Sequence, residues 1–149
     1  MPRTLVQVAA RDLGVSIRVM SASTEGEIET AFATFAREGA GAVFVNNGFF
    51  LYGLSDRLAA LATRYRTPLS AEQPAFVEAG GLMSYAANEP EMLRHAGRYA
   101  GRILKGDRPG DLPVLLPTKF AFVLNLKTAK VLGLTIPPGV LAIADEVIE

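Results

Sequence analysis

The apolar residues of this chain change period several times, and each change marks an element. Leu5, Val8, Ala9 and Leu13 recur at helical spacing ahead of Gly14, so Met1 to Gly14 is predicted as an amphipathic helix ended by a left-handed cap. Val15, Ile17 and Val19 then alternate with Ser16 and Arg18, the period-two pattern of a strand. Thr24 and Glu27 have capping-box spacing, which opens a helix with Ile28, Ala31, Phe32 and Phe35 on one face. The continuous run Ala42-Val43-Phe44-Val45 predicts a parallel strand covered on both faces, and Leu54, Leu58, Leu61, Ala62 and Tyr65 mark the next amphipathic helix. Pro68 leads into a short strand at Leu69.

Beyond Gly80-Gly81 the pattern is less regular. Leu82 to Tyr85 reads as a strand, and Asn88 to Lys105 as a helix with Met92, Leu93, Ala96, Tyr99, Ala100 and Ile103 inward and Gly106 as its stop. Asp107 to Pro117 holds three prolines and a glycine, the composition of an extended connection, before an apolar strand at Phe120 to Leu124. Two terminal helices are expected, Leu126 to Leu132 stopped by Gly133, and Gly139 to Val147 led in by Pro137-Pro138. Strand and helix in alternation predict an α/β fold, a parallel sheet wound by helices with right-handed crossovers.

Composition narrows the function. The 149 residues, 50% of them hydrophobic, suit one domain with a sizeable core. Fifteen basic residues balance fifteen acidic ones without a block of like charge, so the chain has no electrostatic footprint for nucleic acid or an anionic membrane. There is no cysteine and one histidine, His95, which excludes thiol catalysis, disulfides and Cys/His zinc clusters. His95 falls in a predicted helix with no second imidazole to help it, and Glu25, Glu27 and Glu29 read as helix-start charges that complement the macrodipole. P-loop, G-x-S-x-G and dinucleotide fingerprints are absent, and Gly39-Ala40-Gly41 precedes a strand instead of following one. No catalytic residue, metal ligand or cofactor is expected.

In open α/β sheets the ligand crevice lies beyond the carboxyl ends of the parallel strands. The loop Asn46-Asn47-Gly48-Phe49-Phe50 is therefore the first candidate, with amides that both donate and accept and rings that supply an apolar wall. The competing reading is a plain turn, with Phe49 and Phe50 anchoring the helix that follows. Ser84 and Tyr85 form the second candidate, a hydroxyl pair for a carboxylate or amine. Against this, Gly80-Gly81 can be a tight turn and Tyr85 a half-buried hinge residue.

Phe76-Val77-Glu78-Ala79-Gly80-Gly81-Leu82-Met83-Ser84-Tyr85, with Pro117-Thr118-Lys119-Phe120 and Asn125-Leu126-Lys127-Thr128-Ala129-Lys130-Val131-Leu132-Gly133-Leu134, carries a family resemblance. These segments resemble the carboxy-terminal part of ABC-type importer substrate-binding proteins related to tryptophan and tyrosine binders. The resemblance implies a periplasmic-binding-protein type 1-like fold, with 1–85 a ligand-binding lobe and 86–149 a returning helix, extended connection, strand and terminal helices. It also implies a non-enzymatic receptor in which two lobes close on a small organic solute, amino-acid-like or aromatic, and present the closed form to a permease. Such receptors are about twice this length, so the chain reads as a truncated piece of one. An exposed sheet edge and a homodimer formed through it or by segment exchange are then expected.

The family is exported to the periplasm. Met1 to Gly14 lacks the apolar core of a signal peptide, which leaves the cytoplasm open if Met1 is the true start. The chain departs from the family pattern at Gln73-Pro74-Ala75, where relatives tend to have aromatic-Arg-Glu. It also has Asn47 in place of aspartate, Ala86 in place of glycine and Ala121 in place of glutamate. Two rival readings remain: a flavodoxin-like regulatory or interaction domain without a solute site, and an α/β enzyme, which would need a cluster of titratable groups.

Overall fold

The computed structural model of the chain describes residues 3–46 and 48–149. Helix α1 (Arg3–Asp12) is followed by α2 (Glu25–Arg37), β1 (Val43–Val45), α3 (Phe49–Tyr52), α4 (Ser55–Arg64), β2 (Leu69–Ala71), α5 (Pro74–Glu78), β3 (Met83–Ala87) and α6 (Glu89–Leu104). A single 3-10 turn at Pro109–Asp111 precedes β4 (Phe120–Asn125), α7 (Leu126–Leu132), α8 (Pro138–Leu141) and β5 (Glu146–Ile148). The five strands form one sheet in chain order. β1 with β2, β2 with β3 and β4 with β5 are parallel, and β3 with β4 is antiparallel.

Side chains alternate along each strand, so register assigns the faces. Val43, Val45, Leu69, Ala71, Ser84 and Val123 share one face through the partners Val43↔Leu69, Val45↔Ala71↔Ser84 and Ser84↔Val123. This face is the covered one. Ile28 and Phe32 of α2, Leu58 and Leu61 of α4 and Phe76 of α5 pack with its residues as one buried cluster. The helix α2 begins as its sequence predicts: the Thr24 hydroxyl accepts from Glu27 N at 3.3 Å, and the Glu27 carboxylate accepts from Thr24 N at 3.3 Å and Ser23 N at 2.6 Å. Glu25 and Glu29 pair with Arg57, and Glu29 also with Arg64 at 3.9 Å, so these acids face α4. With all four side chains well exposed, the pairs add little stability.

The two halves of the sequence signature meet in space. Gly80, at φ +112°, turns the chain out of α5, and Gly81 passes so close that an added Cβ would sit 2.6 Å from Phe76 O. Gly81 N donates to that same oxygen at 2.7 Å. Only glycine fits both positions without displacing backbone. Asn125, 5% exposed at the end of β4, fastens the turn. Its Nδ2 donates to Val77 O at 3.0 Å, its backbone N to Leu82 O at 2.9 Å, and its Oδ1 caps α7 by accepting from Thr128 N at 3.0 Å. The Thr128 hydroxyl donates to Gly80 O at 2.9 Å.

Several sequence expectations are corrected. Val15 to Val19 runs outside the sheet as exposed chain, because alternation makes a strand only where a neighbour supplies hydrogen bonds. Gly139 to Val147 does not form one helix: α8 ends at Leu141 and Glu146–Ile148 is β5, drawn into the sheet beside β4. Asp145 makes that switch by accepting from Phe122 N at 2.8 Å while its own N donates to Phe122 O at 2.9 Å. Helix α5, led by Pro74 and burying Phe76 and Val77, was hidden by its shortness. The strand at Val43–Val45 is covered on one face only, leaving Phe44 exposed. On α6 the face expected to be inward holds no buried residue, with Leu93 64% exposed, and on α1 Val8, Ala9 and Leu13 are exposed while Ala10 is buried.

Asn125→Ala removes a cap and strands a buried carbonyl, so it should cost about 2–4 kcal/mol. Urea unfolding should show a lower midpoint at unchanged slope, with Thr128→Val losing about 1 kcal/mol. A wild-type midpoint for Asn125→Ala would remove this clamp from the account of the fold.

Candidate functional site

Because β1, β2 and β3 run parallel, their carboxyl ends share one edge of the sheet. There the chain leaves β1 through Asn46 and Gly48 into α3, β2 through Glu72 and Gln73 into α5, and β3 through Asn88 into α6. β4 is antiparallel, so its first residue, Phe120, opposite Ala87, lies at the same edge. Asn88 N donates to Lys119 O at 2.9 Å, and the Asn88 side chain caps α6 by accepting from Glu91 N at 3.1 Å.

A half-open hollow of about 500 Å³ sits at this edge, lined by Gly48, Phe49, Tyr52, Gln73 and Glu89. Phe49 is fully exposed, which excludes it as an anchor for the helix it opens. Tyr52 is half-exposed and meets Phe76 edge-on, ring centroids 6.4 Å apart, so its position is fixed from the core. Gln73 supplies an amide that donates and accepts, and Glu89, in the first turn of α6, supplies a carboxylate. The set suits a solute with an apolar or aromatic body and a cationic or hydrogen-bonding head.

The sequence-predicted residues are placed unevenly. Phe49 lines the hollow and Asn46 is exposed at the end of β1; Phe50 is exposed on α3 outside the lining set, and Asn47 lies outside the described residues. Ser84 and Tyr85 do not converge, since neighbours on a strand point to opposite faces. Ser84 is 1% exposed on the covered face, and its Oγ has no hydrogen-bond partner among the described residues. Tyr85 lies exposed on the other face, stacked on Phe120 at 5.4 Å with an interplanar angle of 6° and edge-on to Phe122 at 6.3 Å. Tyr52, Gln73 and Glu89 were not singled out from sequence. Gln73 and Glu89 come just after β2 and β3, and Tyr52 closes the short helix after β1, a signal that becomes readable only once the strand ends are known.

A second hollow, about 510 Å³, lies between α6 and residues 109–119. Met92, Tyr99, Ile103, Leu112, Val114 and Leu116 make it apolar, and the Tyr99 hydroxyl donates to Pro113 O at 2.6 Å. At one end Lys119 Nζ stands 3.0 Å from Glu91, whose other oxygen is 3.9 Å from His95. The Lys119 hydrogen bond, more than any other cause, holds the Glu91 carboxyl below the usual glutamate range. Among the described residues no group of three or more His, Cys, Asp or Glu could hold a metal, and no helix is long and apolar enough to cross a membrane.

A family model for ABC transporter substrate binding proteins matches residues 3–148. The chain belongs to that family. Among solved structures, it is similar to a conserved domain protein from Vibrio cholerae O1 biovar El Tor, at 24% identity and a TM-score of 0.86, covering 97% of this chain and 48% of that one. It is also similar to an ABC domain from Streptococcus pneumoniae in complex with L-Trp, at 25% identity and a TM-score of 0.84, covering 97% of this chain and 50% of that one. A substrate binding protein with adhesive properties from Clostridium difficile, in a ligand-free, open form, matches at 20% identity and a TM-score of 0.70, covering 99% of this chain and 51% of that one. No curated protein sequence matches. The chain spans about half the length of the solved structures it matches.

Two outcomes follow from the geometry. Ser84→Ala, which deletes a buried unpaired hydroxyl, should melt at or above the wild-type temperature, whereas a loss above about 1 kcal/mol would reveal a bond the fold does not show. In an NMR titration Glu91 should protonate below the range of an ordinary glutamate. A group whose folded pKa is depressed stabilises at pH above its unfolded value and loses that contribution as pH falls through the folded one. The Glu91 tie to Lys119 should therefore be complete near neutrality and released in acid, and an unshifted midpoint would count against it.

Proposed function

We propose that the chain is the carboxy-terminal part of a solute receptor for an ABC-type importer, and that its carboxyl-edge hollow takes an amino-acid-like solute with an aromatic or large apolar side chain. The observation that carries this reading is the pairing of Phe49 and Tyr52 with Gln73 and Glu89 in one hollow. Two rings offer apolar contact, and the carboxylate and amide suit an ammonium group and its neighbours. The L-Trp bound by the pneumococcal relative belongs to this chemical class. Asn46 is assigned to the polar rim beside Phe49, and Phe50 and Tyr85 to its aromatic margin, while Asn47 stays a candidate by its place in the sequence alone. Ser84 is assigned to the packing beneath the site.

The role is binding without catalysis, a reading supported by the match to a substrate binding protein family. In the whole receptor a second lobe would close over this edge, exclude water and create the surface that a permease reads. On this reading the receptor works in the periplasm. Residues 1–85 would then supply most of the ligand-binding unit, and 86–149 would be the returning segment, which adds Glu89 to the hollow.

One edge alone encloses little of the solute, so affinity should be about millimolar. A heteronuclear NMR titration of residues 1–149 with L-tryptophan, other amino acids and aromatic acids reads this directly. Saturable shifts should map to Phe49, Tyr52, Gln73 and Glu89, vanish in Phe49→Ala and need at least about five-fold more ligand in Gln73→Ala, a loss of about 1 kcal/mol. If no amino acid or aromatic acid perturbs these residues at about ten times that concentration, the solute assignment is wrong.

A further inference from the structure

Glu89 reaches the hollow from the first turn of α6, and that turn is fastened from outside the helix. Asn88 is the N-cap, followed by Glu89, Pro90 and Glu91, and the Asn88 side chain accepts from Glu91 N at 3.1 Å. With glutamate at this third position, a capping box would bend the carboxylate back to the N-cap amide. Here that amide is already taken, because Asn88 N donates to Lys119 O at 2.9 Å. The Glu91 carboxylate turns instead to the same residue's ammonium group, Lys119 Nζ at 3.0 Å, and its other oxygen stands 3.9 Å from His95. Lys119 thus holds the cap with its carbonyl and the third helical residue with its side chain.

Lys119 is itself placed by the sheet. The next residue, Phe120, pairs with Ala87 in the antiparallel ladder and stacks on Tyr85, so the fastening point has the register of β3 and β4 behind it. Pro90 narrows the backbone freedom of the turn at no loss of a hydrogen bond, since amides of the first turn have no partner inside the helix. Glu89 lies between the two fastened residues, one after the cap and two before Glu91, so its carboxylate goes where this corner sends it.

We infer that Lys119, acting through Asn88 and Glu91, is a positioning residue for solute binding: it sets the first turn of α6 so that the Glu89 carboxylate meets the ammonium group of an amino-acid-like solute. This role rests on the solute reading proposed above, and it names a residue outside the hollow on which recognition of the ammonium group depends. By its field alone the Lys119 cation opposes a cationic head, so deleting the charge would tighten ammonium binding. Deleting the positioning would weaken it, and the two effects have opposite signs.

NMR titration of the chain with L-tryptophan and L-phenylalanine, and with indolepropionate and phenylpropionate, which keep the skeletons but lack the amine, separates them. Lys119→Met should weaken the amino acids about five-fold and leave the deaminated probes within about two-fold, and Lys119→Arg should recover most of the loss. In a Glu89→Gln background Lys119→Met should change nothing further, because residues that act as a unit are not additive. Without ligand, the Glu91 amide should exchange with deuterium about ten-fold faster in Lys119→Met, while the Ile28 amide of α2 keeps its protection. Lys119 is well exposed and its pair adds little stability, so the cooperative melt should survive. Tighter or unchanged amino-acid binding in Lys119→Met, an equal loss for both kinds of probe, or an unchanged Glu91 exchange rate would overturn the positioning role and leave the solute reading standing. If neither amino acid perturbs the wild-type hollow, the solute reading falls and takes this role with it.

Discussion

The side chain of Asn125 ties together parts of the fold that the chain keeps far apart. Its carboxamide donates to the last turn of α5 and accepts from the first turn of α7, and its backbone amide bonds Leu82 at the entry to β3. A side-chain amide carries its donor and its acceptor on separate atoms while remaining uncharged, so it fits a buried site with a carbonyl on one side and a helix amide on the other. With Thr128 on Gly80 O, the same short segment holds the diglycine turn closed. The turn in turn sets where β3 begins, and therefore the register of the sheet on both sides of it.

That arrangement gives the sequence signature a physical meaning. Phe76 to Tyr85 and Asn125 to Leu134 are distant in sequence, but one supplies carbonyls and close-packed glycines and the other the donors that fit them. Conformational demands of this kind outlast changes of ligand. This explains how a chain at 20–25% identity to solved structures keeps their fold.

What the sequence disclosed, and what it concealed, divides by the range of the forces involved. The capping box at Thr24 and Glu27, the glycine stop at Gly133 and the core stripe Ile28, Phe32, Leu58 and Leu61 depend on neighbours a few residues away or on a shared face, and all appear as read. Val15–Val19 and Glu146–Ile148 were both misassigned, in opposite directions, because strand identity depends on a partner that local pattern does not name. Along α6 the amphipathic stripe was real but its burial was not, since a stripe specifies an apolar face without specifying what covers it. At the site, Phe49 was legible as a loop aromatic, whereas Tyr52, Gln73 and Glu89 converge only through the parallel alignment of three strand ends.

The antiparallel pairing of β3 with β4 has one more consequence. The chain leaves the sheet at Ala87 and re-enters at Phe120, directly opposite, with Asn88 N bonded to Lys119 O. Everything between, the long helix α6 and the proline-rich return, is topologically the loop of a hairpin whose two ends already touch. Its length and shape are thus uncoupled from the strands that frame it, in the way that a long insertion costs a fold only the slowly growing entropy of closing a wider loop. The sheet can keep its register while that excursion lengthens, shortens or changes partner, which makes this the position at which an evolving receptor can alter what it reaches without rebuilding what it stands on.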